Sequence, residues 1–331
     1  MLIMPEQNVF LVTQLPSDSW FEGLAMRPNG KILATRLDKP EIYTFVPEDQ
    51  ETTPTLLTTL SGCTSVFNIC ALPDRHEEYF VMTGDMDLEK VSCDHISIWH
   101  MTLSPDDSSP PKSTKLASLT DFGFCTTIVA ASDRVLLIAD AQRSSIIHMD
   151  TQTGKTSIFM EHDSMKVATD EDHFGLNRLS IADQYLWYTN TSAGTLCRIP
   201  ITTEGVDAAT GIRTTGPVEV LTDSIPHCDG LAVTKDESTV YTACYIDGLL
   251  YRITIDNEER KGYTEVLMSN LDCPTGVALL ENEDEPKVYV TCCGKIEMAW
   301  FVQDSENPWS CIADINSAVT VTVTETVVES A

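Results

Sequence analysis

The chain repeats one short pattern six times, and this repetition limits the possible folds more than any other feature. Each copy has a polar residue, a run of small or strand-forming apolar residues, and a turn, as in residues 227–233. The polar residues of the copies lie 46 to 58 residues apart and are Glu22, Asn68, Thr126, Asn177, Asp229 and Thr275. Repeats of this length that contain several short strands are typical of propeller blades. We therefore predict an all-β fold, a six-bladed β-propeller.

The two ends of the chain predict how the ring closes. Residues 9–14 form a strand-like segment before the first copy, and similar segments precede later copies as outer strands of the blade before. The N-terminal strand is therefore predicted to be the outer strand of the last blade, which removes an exposed sheet edge. Residues 296–300 predict another strand of blade six, and the alternating tail at 319–324 predicts an edge strand or a segment packed outside. Residues 1–331 would then form one domain.

Composition excludes several classes of partner. The chain has 50 acidic and 21 basic residues and a formal net charge of -29, whereas nucleic acid and anionic membranes bind basic surfaces. No apolar run approaches the ~18 residues of a membrane helix, and the N-terminus lacks the pattern of a signal peptide. The eleven cysteines lack the paired Cys-x2-Cys spacing of a zinc site. A reduced, cytoplasmic protein is the simplest interpretation, and a secreted form with a removed leader and one or two disulfides is the alternative.

The polar residue of each copy is predicted to face a shared axial cavity, because the innermost strand of a blade starts near the axis. Glu22, Asn177 and Asp229 offer two carboxylates and an amide oxygen, which suit Ca²⁺, Mg²⁺ or Mn²⁺. Such an ion could polarise a carbonyl or activate water. The alternative is that these residues hydrogen-bond to backbone and water in a wet channel.

Histidines and aromatic residues just before the axial positions are further candidates. His173 and His227 could donate a proton or a hydrogen bond to a substrate carbonyl, or could simply face solvent. Five aromatic residues could line an apolar cup, or pack between blades: Trp20, Phe21, Phe67, Phe124 and Phe174. Phosphate-loop, Gly-x-Ser-x-Gly and His-Glu-x-x-His motifs are absent, which excludes nucleotide-binding, α/β-hydrolase and zincin functions.

Three axial segments resemble those of the gluconolactonase, senescence-marker and strictosidine-synthase group of six-bladed propellers. They are Phe21-Glu22-Gly23, Leu176-Asn177 and Cys228-Asp229-Gly230-Leu231. In the metal-dependent lactonases of that group a Glu, an Asn and an Asp bind one divalent cation, which implies Glu22, Asn177 and Asp229 as ligands. Arg178 stands where the group usually has Gly, and the Asn-Asp-Gly segment of blade two is not recognisable.

Most of the chain also resembles a fungal branch of this fold, the hetero-Diels-Alderases of tropolone-sesquiterpenoid biosynthesis. The segments that carry the resemblance are 27–30, 34–43, 188–191 and 198–201. The resemblance implies a cyclase that joins a reactive quinone methide or enone to an alkene and requires no cofactor. The implied catalytic residues are His227, His173 and Asp229. The implied binding residues for a largely apolar substrate are Trp20, Phe21, Phe67, Asn68, Phe124, Thr126, Phe174, Asn177 and Thr275.

Two functions of other classes remain open from the sequence. A metal-dependent lactone hydrolase predicts that a divalent ion binds Glu22, Asn177 and Asp229 and that a chelator abolishes activity. A non-catalytic interaction propeller predicts an apolar patch away from the axis. The oligomeric state is left open by the sequence.

Overall fold

The structure is a computed structural model of the chain. It describes residues 8–15, 19–47, 53–88, 90, 92–169, 172–281, 287–293 and 319–324. The sequence-predicted strand at 296–300 lies outside the described residues. No helix in the described part of the chain is long and apolar enough to cross a membrane.

The described residues form antiparallel sheets that follow one another along the chain. The first two sheets contain β2 (Phe21–Met26), β3 (Ile32–Arg36), β4 (Glu41–Phe45) and β5 (Thr55–Thr59), then β6 (Ser65–Ala71), β7 (Glu78–Asp87), β8 (Ser92–Thr102) and β9 (Lys112–Ser118). The third and fourth contain β10 (Cys125–Ala130), β11 (Val135–Asp140), β12 (Ser145–Asp150) and β13 (Thr156–Glu161), then β14 (Leu176–Ile181), β15 (Tyr185–Asn190), β16 (Thr195–Thr202), β17 (Arg213–Thr214) and β18 (Glu219–Thr222). A short 3-10 helix, Asp163–Met165, lies between these two sheets.

The remaining strands form two further sheets. One contains β19 (Cys228–Val233), β20 (Thr239–Cys244), β21 (Leu249–Asp256) and β22 (Lys261–Met268). The other joins both ends of the chain in the order β1 (Asn8–Gln14), β25 (Val319–Thr324), β24 (Lys287–Cys292) and β23 (Pro274–Leu280). The tail strand β25 thus pairs on both sides, with β24 and β1. The prediction that the tail forms an edge strand or packs outside was therefore wrong.

The sheets are arranged around a common axis. The first strand of each sheet along the chain contacts the first strand of the next, from β2 through β6, β10, β14 and β19 to β23, and β23 contacts β2. Among the described residues, six hydrophobic clusters fill the spaces between neighbouring sheets. In one of them Phe80 and Ile98 of the second sheet meet Leu136 and Ile147 of the third. This arrangement confirms the predicted all-β propeller.

A bulge interrupts each innermost strand where it reaches the axis. In β14 the pairing register with β15 shifts between Leu176 and Leu179, so Asn177 and Arg178 together oppose Thr189. Register shifts occur at the corresponding positions of the other five inner strands. Bulges bend a strand and re-aim its side chains. Here each bulge contains or borders the polar residue that the repeat pattern identified.

Glycine allows the inner strands to approach one another closely at this level. A Cβ added to Gly276 would lie 2.3 Å from the carbonyl oxygen of Glu22 in the neighbouring sheet. The Gly276 amide donates a hydrogen bond of 2.8 Å to Oγ1 of Thr291. The absence of a side chain at Gly276 therefore fixes how near β23 lies to Glu22.

Candidate axial site

Arg178 reaches across the propeller axis. It lies on β14, and β14 is opposite β2 in the circuit of inner strands. Nη2 of Arg178 nevertheless donates a hydrogen bond to Oε1 of Glu22 on β2. Nε donates to Oδ1 of Asp229 on β19 at 2.7 Å. One guanidinium therefore joins two carboxylates from two other sheets.

The two carboxylates are held in place by further donors. Nε1 of Trp20 donates to Oε2 of Glu22 at 2.8 Å. Nδ2 of Asn177 donates to Oδ1 of Asp229 at 3.2 Å and to Oγ1 of Thr191 at 2.9 Å. The charged side chains are thus part of a connected network, which stabilises ionised groups in a site of low dielectric constant.

Burial in this network changes the proton affinities of its members. Loss of water raises the pKa of Glu22 to about 7, although the Arg178 guanidinium favours the ionised form. Burial also raises the pKa of Asp229, with Arg178 again opposing. For Arg178 itself, burial disfavours the charge, but Asp229 and Glu22 outweigh this effect and raise its pKa. At neutral pH the site therefore contains a permanent cation beside a carboxyl group that can gain or lose a proton.

A cavity of about 300 Å³ extends from this network along the axis. Its polar side chains are those of Glu22, Asn68, Thr127 and Arg178. Polar and apolar groups share its surface about equally, and the apolar side chains include Leu24, Met26, Ile69, Cys70, Ile128, Val129, Leu179, Leu231 and Val277. Cavities with apolar walls and a few polar groups are the usual binding sites of small molecules.

Arg178 retains hydrogen-bonding capacity toward this cavity. Its Nε and Nη2 atoms are used by Asp229 and Glu22, whereas Nη1 makes no hydrogen bond to any residue in the described ranges. The side chain is 6% exposed and lines the cavity. The two N–H groups on Nη1 can therefore donate to an oxygen atom of a ligand.

The residues predicted to bind a divalent cation come together, but the geometry does not fit a metal ion. The guanidinium of Arg178 bridges Glu22 and Asp229, in the space where an ion shared by both carboxylates would lie. Unit charges 4 Å apart interact by about 4 kcal/mol at an effective dielectric constant of ~20, and a divalent ion doubles the repulsion from Arg178. Within the described ranges no group of three or more His, Cys, Asp or Glu residues could hold a metal ion.

The two candidate histidines lie outside the axial network. Nδ1 of His227 is 2.9 Å from Oδ2 of Asp247, and the His227 side chain is 40% exposed. His173 is at the surface, packs on Phe174 with ring centroids 6.1 Å apart, and has its pKa lowered by partial burial. Neither residue lines the cavity. Arg178, by contrast, does line the cavity.

The predicted aromatic cup divides into different environments. Phe124 packs between Phe67 and Phe174, with ring centroids 5.9 and 5.3 Å away. Trp20 also packs against the hydrophobic cluster that contains Phe67. Phe21 was misassigned, because its side chain is fully buried between the first and last sheets. Adjacent residues of a strand point to opposite faces, so Phe21 points into the core while Glu22 points to the axis.

The remaining predicted binding residues connect neighbouring sheets. Oγ1 of Thr126 donates to the carbonyl of Asn177 at 2.6 Å, and Oγ1 of Thr275 donates to the carbonyl of Phe21 at 2.9 Å. Oδ1 of Asn68 accepts from the amide of Ile128 at 3.3 Å. These contacts use the polar side chains to hold the inner strands together, and of the three only Asn68 also lines the cavity.

Arg178 is the residue that the sequence analysis did not identify as functional. The sequence signal was an arginine directly after an axial asparagine, in a strand whose other residues are aliphatic except for Ser180. Regular strand alternation places Asn177 and Arg178 on opposite faces. The bulge at this point in β14 allows both to reach the axial network.

Comparison with solved structures supports the propeller fold. A luciferin-regenerating enzyme aligns with a TM-score of 0.64 at 13% identity, over 97% of this chain and 98% of that one. A calcium-binding protein, regucalcin from Agrobacterium tumefaciens, aligns with a TM-score of 0.55 at 15% identity, over 96% and 97%. The PQQ-bound aldose sugar dehydrogenase of Streptomyces coelicolor aligns with a TM-score of 0.57 at 12% identity, over 96% and 99%.

No protein-family model matches the chain, and no curated protein sequence matches it. At identities of 12 to 15% the three structures are similar to this chain in fold. One fold of this kind carries different chemistries. The function must therefore be argued from the axial residues of this chain.

Proposed function

We propose that the protein is an enzyme that binds an apolar, carbonyl-containing small molecule in the axial cavity and activates the carbonyl with Arg178. The observation that carries this proposal is the Nη1 group of Arg178, which has no hydrogen-bond partner among the described residues and belongs to a side chain that lines a cavity of mixed polar and apolar surface. A fixed donor in such surroundings stabilises negative charge that develops on oxygen during a reaction. Glu22 and Asp229 hold the guanidinium in place through their hydrogen bonds to Nη2 and Nε.

The reaction that we propose is a cyclisation of the (hetero-)Diels-Alder type. The oxygen of an enone or quinone methide accepts a hydrogen bond from Arg178, which makes the conjugated system more electrophilic. The alkene then adds across the four-atom unit, forming one carbon–carbon and one carbon–oxygen bond, with no atom lost. The apolar walls supply the remaining requirement, because they hold both π systems at reacting distance. The cyclisation requires no cofactor.

The network favours this function over a divalent-metal-dependent lactonase, because the guanidinium is positioned between the two carboxylates. One observation favours a metal-independent hydrolysis as second candidate. Burial raises the pKa of Glu22 to about 7, which suits a general base that activates water. The two candidates differ in product, since hydrolysis adds one water and cyclisation adds none.

An interaction propeller without catalysis is less well supported. Large exposed apolar side chains such as Leu56, Ile158 and Val266 lie on outer strands of different sheets. A docking surface would require such residues to be contiguous. The buried charged network at the axis has a high desolvation cost, and a catalytic role accounts for it better.

We also propose that the sheets form one six-bladed ring and a single domain, closed by β1 as the outer strand of the last blade. The pairing of β1 with β25 and the contact of β23 with β2 support this architecture. In keeping with the acidic composition, we propose a cytoplasmic enzyme whose partner is its small-molecule substrate. Neither nucleic acid nor a membrane is part of this proposal.

The experiment that tests the proposed function generates an ortho-quinone methide in solution with an apolar alkene and measures the rate and enantiomeric excess of the cycloadduct. The wild-type protein is expected to accelerate the reaction and to give one enantiomer in excess, with and without chelator. Arg178→Met should return both quantities to the values without protein. A wild-type reaction with no acceleration and a racemic product would contradict the proposal for this substrate class.

A further inference from the structure

The guanidinium of Arg178 occupies a place where the surrounding oxygen atoms could bind a different cation. Oε1 of Glu22 and Oδ1 of Asp229 both accept hydrogen bonds from it, and Asn177 is hydrogen-bonded to the same Asp229 oxygen. Carboxylate oxygens are hard ligands of the kind that Ca²⁺ and Mn²⁺ prefer, and Nδ2 of Asn177 holds one of them in place. The ligands are thus assembled around a side chain that carries its own charge.

Removal of the guanidinium would leave an empty space beside the carboxylates of Glu22 and Asp229, whose negative charge would then have no cation next to it. Both carboxylates belong to side chains that are only 13% and 11% exposed. Their backbones are supported without Arg178, because the inner strands are joined by other contacts, such as the 2.9 Å hydrogen bond from Thr275 to the carbonyl of Phe21. The Arg178 backbone is also anchored, since its amide donates to Oγ1 of Thr189 at 3.1 Å. A shorter side chain at this position would therefore leave the oxygen atoms near their present places.

We infer that Arg178 is a built-in replacement for a divalent cation, and that its truncation converts the axial network into a Ca²⁺- or Mn²⁺-binding site on the carboxylates of Glu22 and Asp229. The wild-type protein has no affinity for such ions at the axis, because their charge and that of Arg178 exclude each other. This inference concerns ion binding and stands independently of the proposed reaction.

The test is a calorimetric titration of CaCl₂ and of MnCl₂ into the wild-type protein, Arg178→Ala and Arg178→Ala/Asp229→Asn, with the melting temperature as a second readout. Arg178→Ala should bind one ion at least about tenfold more tightly than either other protein and should show a higher melting temperature with the ion, because ligands of the native state stabilise it. The double variant has the same alanine at position 178 but lacks the Asp229 carboxylate. It therefore separates ion binding by the carboxylate from any effect of the space left by the arginine side chain.

Each result decides the question. If Arg178→Ala folds only when the ion is present, the inference is also supported, since the ion would then replace the missing charge. A wild-type protein that binds an ion as tightly as Arg178→Ala does would overturn the inference. Arg178→Ala that binds no ion, or that stays unfolded at millimolar Ca²⁺ and Mn²⁺, would overturn it as well.

Discussion

Arg178 and Asp229 lie 51 residues apart in sequence and meet at the axis, where Nε of Arg178 donates to Oδ1 of Asp229 at 2.7 Å. The same guanidinium contacts Glu22 on the opposite side of the ring. The two inner strands β14 and β19 are neighbours, so the contact with Asp229 is local in space. The contact with Glu22 makes the network an electrostatic connection across the propeller.

The first prediction concerns stability. Arg178→Met should lower the free energy of unfolding by about 3 kcal/mol at pH 7.5, because two carboxylates lose a buried partner. The loss should be smaller at pH 5.5, where both carboxyl groups, with their raised pKa values, are more often protonated. Urea unfolding at the two pH values measures this.

Arg75→Met is the matched control, because Arg75 pairs with Asp133 at 3.0 Å on the surface with both side chains more than half exposed. Arg75→Met should change the free energy of unfolding by no more than about 0.5 kcal/mol. Equal losses for the two variants would contradict a special role of the axial pair.

The second prediction follows from the pKa of Glu22, which is raised from 4.5 to about 7 in the folded protein. The folded state binds the proton more tightly than the unfolded state, so the contribution of Glu22 to stability is full below pH 4.5 and is lost as the pH rises toward 7. The difference in unfolding free energy between wild type and Glu22→Gln should fall over this range by at most about 3 kcal/mol. A difference that is constant from pH 4 to 8 would be inconsistent with the raised pKa.

The third prediction concerns Trp20, whose indole donates to Glu22 at 2.8 Å. This hydrogen bond favours the ionised form of Glu22, so Trp20→Phe should raise the pKa of Glu22 further. Carbon-13 NMR of the labelled Glu22 carboxyl group measures the shift directly. Trp99→Phe is the control, since the Trp99 indole donates to Thr83 at 2.9 Å within the second sheet; it should leave the Glu22 titration unchanged.

The fourth prediction separates the histidines from the arginine. His173→Ala/His227→Ala should keep cycloaddition within about threefold of wild type, because neither side chain lines the cavity. The cycloaddition rate of Arg178→Met should fall at least about a hundredfold, which is the effect of removing one donor to a developing oxyanion. Turnover with the ortho-quinone methide and alkene is the measurement. A greater loss in the histidine variant than in the arginine variant would return the donor role to His173 or His227.

The repeat pattern in the sequence was sufficient to predict the propeller and to place Glu22, Asn177 and Asp229 at a common axis. It succeeded because each polar residue is among the first four residues of an inner strand, and packing of these strands around one centre brings their beginnings together. The same reasoning failed for Phe21, although alternation along the strand would have assigned it to the core beside Glu22.

The electrostatic centre of the site could not be predicted in the same way. Asn177 and Arg178 are adjacent, so a regular strand would direct only one of them to the axis, and the bulge opposite Thr189 is a feature of the folded backbone. Likewise, His227 was selected for its nearness in sequence to Asp229, but its ring contacts Asp247 in the turn between β20 and β21.

In the proposed function, Arg178 donates a hydrogen bond to the carbonyl of a bound substrate. Infrared difference spectroscopy of chalcone, a stable apolar enone labelled with carbon-13 at its carbonyl, tests this claim most directly. The carbonyl stretch should move to lower frequency on binding to wild type and should return toward its value in apolar solvent in Arg178→Met. The same frequency in both bound complexes would contradict the account.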